Sequence, residues 1–166
     1  MRPRVLVAGI GNIFLGDDAF GVEVVKRLAA RPLPDGVAVV DFGIRGFDLA
    51  YALLDGYATS ILVDALPRGE EPGTLTVIEP DFDELGELQG ETIETHGMHP
   101  LRVLHLVKAL GGRPGRLLVV GCEPAGFASP EDDDWQVGLS APVEAAIEEA
   151  VQIVESLVAE ACGVAS

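Results

Sequence analysis

The sequence has few positive charges. Its 11 Lys and Arg residues stand against 27 Asp and Glu residues, which gives a formal net charge of −16 at pH 7. This negative field repels nucleic-acid phosphates and anionic lipid headgroups, so it argues against direct binding to nucleic acid or to a membrane surface. A cation or a basic protein partner is compatible with the same charge.

Cysteines and long apolar runs are also scarce. The two cysteines, Cys122 and Cys162, lie far apart and form no closely spaced ligand pair, so a reducing, cytoplasmic compartment is the simpler expectation. No apolar run approaches the length that spans a bilayer, and the short run near the N-terminus leads into glycines and acids rather than a cleavage site.

Hydrophobic residues make up 48% of the 166 residues, which is the composition of a chain that folds around a core. The length is most simply that of one domain over residues 1–166, and we expect a monomer.

Short apolar runs alternate with helical patterns along the chain. The predicted strands are Val5–Ala8, Val37–Val40, Ser60–Val63, Thr74–Ile78 and Leu117–Val120. Helical spacing of apolar residues follows the first strand, Gly46, Pro100 and Ser140, and Ser140 is a good N-cap for the last helix.

This alternation predicts the α/β class, as a three-layer α/β/α sandwich with a mostly parallel sheet of about five strands. The run Thr74–Ile78 follows Ser60–Val63 after a loop too short to hold a crossover helix. It is therefore a candidate antiparallel edge strand.

The first motif is VLVAGIGNIFLGDDAFGVEVV, from Val5 to Val25, in which a strand and a glycine turn lead to Asp17 and Asp18 at a helix start. Helix N-termini usually receive anions from outside. This chain supplies its own anions there, so the motif favours a cation or a proton as the ligand. A dinucleotide site is the weaker alternative, because Phe14 interrupts the glycine fingerprint.

Ligands gather at the carboxyl ends of parallel strands, so the polar residues there are the candidates for chemistry. They are Asn12, Asp17, Asp18, Asp41, Asp64, Cys122 and Glu123, together with His96 and His99 in the loop before Pro100. Carboxylates from two strand ends plus one imidazole suit a divalent ion such as Zn²⁺ or Ni²⁺. The alternative is that Asp64 caps a loop and that the histidines are structural.

Other hydrolytic sites find little support. No G-x-S-x-G nucleophile turn and no H-E-x-x-H zinc helix is present. Cys122 near a strand end has no neighbouring base in the sequence, and a small buried cysteine is its ordinary role.

Taken together, these residues resemble the hydrogenase maturation endopeptidases, which process the large subunit of nickel–iron hydrogenases. The resemblance spans nearly the whole chain in the segments GIGNIFLGDDAFGVEVV (9–25), VVDFGIRG (39–46), ILVDALPRGEEPGTL (61–75), ETHGMHPLRVLHLVKALGG (94–112), VVGCEP (119–124) and GLS (138–140).

The resemblance implies a three-layer α/β fold and a metal-binding triad, which falls on Asp18, Asp64 and His96. The metal would be nickel carried by the large-subunit precursor, whose C-terminal extension the enzyme removes, and another divalent cation could occupy the isolated protein. The sequence departs from the family in having Ala19 after the paired acids, and His99 offers a second imidazole close to His96.

A mechanism consistent with these residues has the nickel act as a template that holds the scissile segment for attack by water. Asp17 is our candidate for the base, in an aspartic-type, nickel-dependent endopeptidase. Two other classes stay open: a metal-binding accessory protein that does not cut, and a nucleotide-dependent α/β enzyme.

Overall fold

The computed structural model describes residues 4–14, 16–85, 99–126 and 138–163. The strands in these ranges are β1 (Val5–Ile10), β2 (Val37–Gly43), β3 (Thr59–Ala65), β4 (Leu75–Ile78) and β5 (Arg116–Cys122). The α-helices are α1 (Phe20–Ala29), α2 (Gly46–Leu53), α3 (Pro100–Ala109) and α4 (Ala141–Ala161). Two 3₁₀ helices cover Gly16–Ala19 and Phe82–Glu84. No helix in the described ranges is both long enough and apolar enough to cross a membrane.

The strands form one sheet in the order β2-β1-β3-β5-β4. Neighbouring pairs are parallel except for β4, which runs antiparallel to β5 at the edge. This confirms the predicted five-stranded, mostly parallel sheet and its antiparallel edge strand. The connection from β3 to β4 holds no crossover helix, so β4 runs antiparallel to β3, and β5 lies between the two strands.

Alternate residues of the central strands point to opposite faces of the sheet, and each face is covered by two helices. On one face, Val5 and Val7 belong to a core cluster with residues of α1 and α4. On the other face, Leu6 and Ala8 belong to a cluster with residues of α2 and α3. The three layers follow from burial on both faces, which is why the strands read as continuous apolar runs.

The register brings the predicted site residues to one edge of the sheet. Gly9 of β1 pairs with Val63 of β3, so Asp64 lies level with the residues that end β1. Asp64 in turn pairs with Gly121 of β5. The carboxyl ends of three parallel strands therefore meet around Asp64.

Helix α1 begins in close contact with this edge because Gly21 has no side chain. A Cβ atom at Gly21 would lie 2.0 Å from the carbonyl oxygen of Val63 and 2.4 Å from that of Ile10. Both are backbone atoms of the strands that carry the site. Gly21 thus fixes how near the residues preceding α1 lie to the end of β3.

We expect Gly21→Ala to lower the free energy of unfolding by about 3 kcal/mol, because a methyl group would push the helix off two strands. Urea unfolding followed by circular dichroism measures this loss. The control is Gly126→Ala, since a Cβ atom at Gly126 would meet nothing within 4 Å. Equal stability of the two variants would contradict the close approach.

Candidate functional site

Asp17 and Asp18 lie in the short 3₁₀ helix between β1 and α1, and both are buried. The turn before them is tight, because a Cβ atom at Gly11 would lie 1.8 Å from the carbonyl oxygen of Asp18. Gly11 also has a φ of +145°, which favours glycine. The backbone N–H of Asn12 donates to Oδ2 of Asp18 at 2.9 Å, so the turn orients this carboxylate.

Asp64 is buried in an environment that disfavours its negative charge. It is 1% exposed at the end of β3, and its Oδ1 atom has no hydrogen-bond partner among the described residues. Burial, and secondly the negative charge of Asp18, raise the pKa of Asp64 well above its ordinary value, against a lowering by the Ala65 backbone. The fold therefore places two buried carboxyl groups close together and leaves Oδ1 of Asp64 without a hydrogen-bond donor among the described residues.

Asp17 has a different environment from its neighbour. Its Oδ1 accepts from the backbone N–H of Ser140 at 2.7 Å, and its Oδ2 accepts from Ala125 N and from the Ser140 hydroxyl, both at 2.8 Å. Both oxygens are thus engaged in joining the loop after β5 to the start of α4. Ser140 does occupy the N-cap position of α4, but its side chain makes no capping bond; its hydroxyl instead donates to Asp17.

Of the two candidate histidine ligands, only His99 belongs to the described residues, and His96 lies outside them. His99 caps α3, with its Nδ1 accepting from the backbone N–H of Leu101 at 3.1 Å, and burial lowers its pKa. In a neutral ring with Nδ1 as acceptor, Nε2 carries the proton. Neither nitrogen of His99 then has a lone pair free for a cation while the cap is in place.

Three further strand-end residues have structural contacts of their own. Asp41 is exposed and accepts from the N–H of Gly43 within its own turn. Burial, with the charges of Asp17 and Glu123, raises the pKa of Cys122 to about 12, so this thiol stays protonated. Glu123 is buried and anchors the loop that follows β3.

The donor set at this edge suits a cation that is bound only in part by the protein. Within the described ranges, no group of three or more His, Cys, Asp or Glu residues is arranged to hold a metal ion. The Asp18 and Asp64 pair offers hard oxygen ligands, and the unpartnered Oδ1 of Asp64 is an acceptor that a cation would satisfy. The residues present therefore fit a divalent ion completed by ligands from elsewhere.

Large apolar side chains are exposed beside this edge, on two loops and on the first turn of α2. Ile13 and Phe14 follow β1, Ile44 follows β2 and Phe47 lies at the start of α2, with exposed fractions between 44% and 64%. The two loops are neighbours, since the N–H of Gly11 donates to the carbonyl of Gly43 at 2.9 Å. Apolar exposure beside a polar site is typical of a surface that binds another protein.

Comparison with known proteins identifies relatives over almost the whole chain. A family model described as hydrogenase maturation protease matches residues 22–157. The hydrogenase expression/formation protein HupD of Rhizobium leguminosarum is 36% identical over 160 residues, covering 93% of this chain and 75% of that protein. The hydrogenase 2 maturation protease of Escherichia coli is 32% identical over 150 residues, with 90% and 87% covered.

The solved structure of the hydrogenase maturating endopeptidase HybD from Escherichia coli is similar in fold. It superimposes with a TM-score of 0.75 at 30% sequence identity, and the match covers 95% of this chain and 93% of that one. The five-stranded sheet and its helices are therefore shared with a maturation endopeptidase.

We expect Asp64→Asn to raise the melting temperature at neutral pH by about 3 °C or more, or about 1 kcal/mol, because an amide carries no buried charge. The pKa of Asp64 is raised in the folded state, so the wild type regains this stability as the pH falls through that pKa. The advantage of the variant should therefore shrink toward acidic pH.

Thermal unfolding by circular dichroism from neutral to acidic pH measures this difference. The control is Asp55→Asn, because the side chain of Asp55 is 73% exposed. A destabilised Asp64→Asn variant at neutral pH would show that the Asp64 charge is well compensated in the fold.

Proposed function

This chain belongs to the hydrogenase maturation protease family, and we propose that it removes the C-terminal extension of a nickel-loaded nickel–iron hydrogenase large-subunit precursor. The reaction is hydrolysis of one peptide bond. A water molecule adds to the scissile carbonyl carbon, the C–N bond breaks, and the leaving nitrogen takes a proton. The bound nickel of the precursor is the element that the enzyme recognises.

The buried pair Asp18 and Asp64 is the observation that carries this proposal. Its excess negative charge and the unpartnered Oδ1 of Asp64 favour the approach of a cation. At short range in a poorly solvated site, attraction between a dication and two carboxylates is much stronger than in water. A precursor that presents nickel at this edge would therefore bind more tightly than one without it.

We assign His96 as the third ligand to the nickel of the precursor. The capping role of His99 supports this choice, because its Nδ1 is already engaged with Leu101. Nickel accepts imidazole and carboxylate ligands together. Bound across this set, the metal acts as a template that holds the extension in place, so proximity supplies part of the rate acceleration.

The role of Asp17 is to position its neighbours. Three hydrogen bonds at 2.7–2.8 Å already occupy three of the about four acceptor positions of the Asp17 carboxylate, so little of it is left for a water molecule. These bonds instead fix the 3₁₀ helix that carries Asp18 against the start of α4. Asp17 as the base stays a prediction, and its contacts favour the positioning role.

We further propose that the protein acts as a monomer in the cytoplasm on this one class of partner. Both cysteines are unpaired, as is usual in a reducing compartment. The exposed apolar residues Phe14, Ile44 and Phe47 would contact the large subunit beside the scissile segment.

We expect Asp64→Asn to abolish cleavage of the nickel-loaded precursor while the variant stays folded, because the amide cannot supply a charged ligand. The test is incubation with the precursor, followed by mass spectrometry for loss of the C-terminal extension. Asp55→Asn is the matched control and should cut at the wild-type rate. If the wild type bound the precursor without shortening it, the protein would be a non-cutting accessory factor, and full cleavage by Asp64→Asn would remove Asp64 from the site.

His96→Ala should lower the rate of precursor cleavage by at least about 100-fold, as expected for loss of a metal ligand. His105→Ala is the control, since His105 lies half-buried within α3. Initial rates at a fixed precursor concentration measure both. Equal losses in the two variants would contradict the assignment of His96.

A further inference from the structure

An apolar pocket of about 290 Å³ opens beside the proposed catalytic edge. It lies between the loop after β3, the end of β4 and the start of α3. Its apolar lining includes Leu66, Pro67, Ile78, Leu101, Leu104 and Val119. Leu66 comes two residues after Asp64, so the pocket lies next to the Asp18 and Asp64 pair.

Arg68 also lines this pocket. Its side chain is exposed and makes no ion pair or hydrogen bond within the described ranges. Arg27, Arg31 and Arg113, in contrast, each pair with carboxylates of this chain. Glu70 and Glu71 lie in the same loop, yet neither forms an ion pair with Arg68. Among the described residues, the guanidinium of Arg68 therefore has no partner at the rim of an apolar pocket.

The loop that carries Arg68 is held by buried contacts. Glu123 is 6% exposed, and its Oε1 accepts hydrogen bonds from the backbone N–H groups of Arg68 and Glu70, both at 2.7 Å. The N–H of Leu66 donates to the carbonyl of Cys122 at 2.9 Å. A loop fixed in this way loses little entropy when it binds a peptide.

We propose that this pocket binds the substrate's C-terminal extension, with an apolar side chain of the extension in the pocket and an Asp or Glu side chain beside it paired with Arg68. The inference rests on the proposed function: if the scissile bond of the precursor lies beside Asp64, the segment that follows this bond would lie near Leu66. The apolar lining selects the first group, and the unpaired guanidinium selects the second. Arg68 and the pocket therefore determine specificity, while Asp18 and Asp64 serve the reaction itself.

The first test compares Arg68→Glu with Lys26→Glu in steady-state cleavage of the nickel-loaded precursor. Each variant reverses one exposed positive charge, but Lys26 lies on α1, on the other face of the sheet. We expect Arg68→Glu to raise KM about tenfold with kcat nearly unchanged, because it removes binding without touching the reacting atoms. Lys26→Glu should leave both constants unchanged.

The second test exchanges the charges. Each Asp or Glu of the extension is replaced by Lys in turn. With one of these precursors, the KM of Arg68→Glu should return to the value that the wild-type pair shows, and the KM of the wild-type enzyme should rise. Failure of every replacement would overturn the acidic partner of Arg68.

The third test changes the apolar wall through Leu101→Asp, with Leu110→Asp as its control. These leucines lie near opposite ends of α3 and are 45% and 40% exposed, so both variants should fold. Leu101→Asp should raise KM at least about fivefold, and Leu110→Asp should not. An unchanged KM for Leu101→Asp would show that the pocket does not receive substrate.

These outcomes separate the inference from the function on which it rests. If the wild type leaves the precursor intact, the proposed function fails. If the wild type cuts while Arg68→Glu keeps the wild-type KM, or shifts no more than Lys26→Glu, only the pocket proposal fails.

Discussion

The contact between the start of α1 and the ends of β1 and β3 is the constraint on which the site depends. Gly21 lets the helix touch the carbonyl oxygens of Val63 and Ile10, and Gly11 lets the preceding turn close on the backbone of Asp18. Without these approaches the 3₁₀ helix could not hold Asp18 close to Asp64, whose pKa is raised by burial and secondly by the negative charge of Asp18. Gly11, which belongs to the apparent nucleotide-binding turn, therefore serves together with Gly21 to bring two carboxyl groups close to each other.

Bringing them together costs stability, which the remainder of the fold has to supply. A buried carboxyl without a full set of donors is unfavourable, and a second negative charge beside it adds to the cost. The sheet offsets this cost with apolar cores on both faces, in which residues such as Phe20 and Ile147 are fully buried. Asp17 adds three hydrogen bonds that join α4 to the same turn. The strained pair is thus set in a rigid frame.

The sequence predicts the strands, the antiparallel edge and the position of Asp64 because each leaves a local pattern. Apolar runs mark β-strands buried on both faces, and a short loop decides the direction of β4. The contacts of Asp17 leave no such pattern, since its partners Ala125 and Ser140 lie 108 and 123 residues away. The cap made by His99 also depends on which neighbours folding supplies, as does the lack of a partner for the Arg68 guanidinium among the described residues. Sequence patterns therefore locate the strand ends but do not show which role each acidic residue has there. His96 lies outside the described residues, so its predicted role stays a prediction.

The strain at Asp64 also bears on how an enzyme could tell a finished precursor from an unfinished one. A segment that enters the site without a cation leaves Asp18 and Asp64 to repel each other in an even drier environment. Under the proposed function, a segment that carried nickel would relieve that repulsion and would satisfy the Oδ1 atom of Asp64, which has no partner among the described residues. The free-energy difference between the two cases would come from the repulsion between Asp18 and Asp64. The residues that bind the metal would then also provide the selectivity, without a separate recognition site. The stability lost in burying two acids would in this way become selectivity for the loaded substrate.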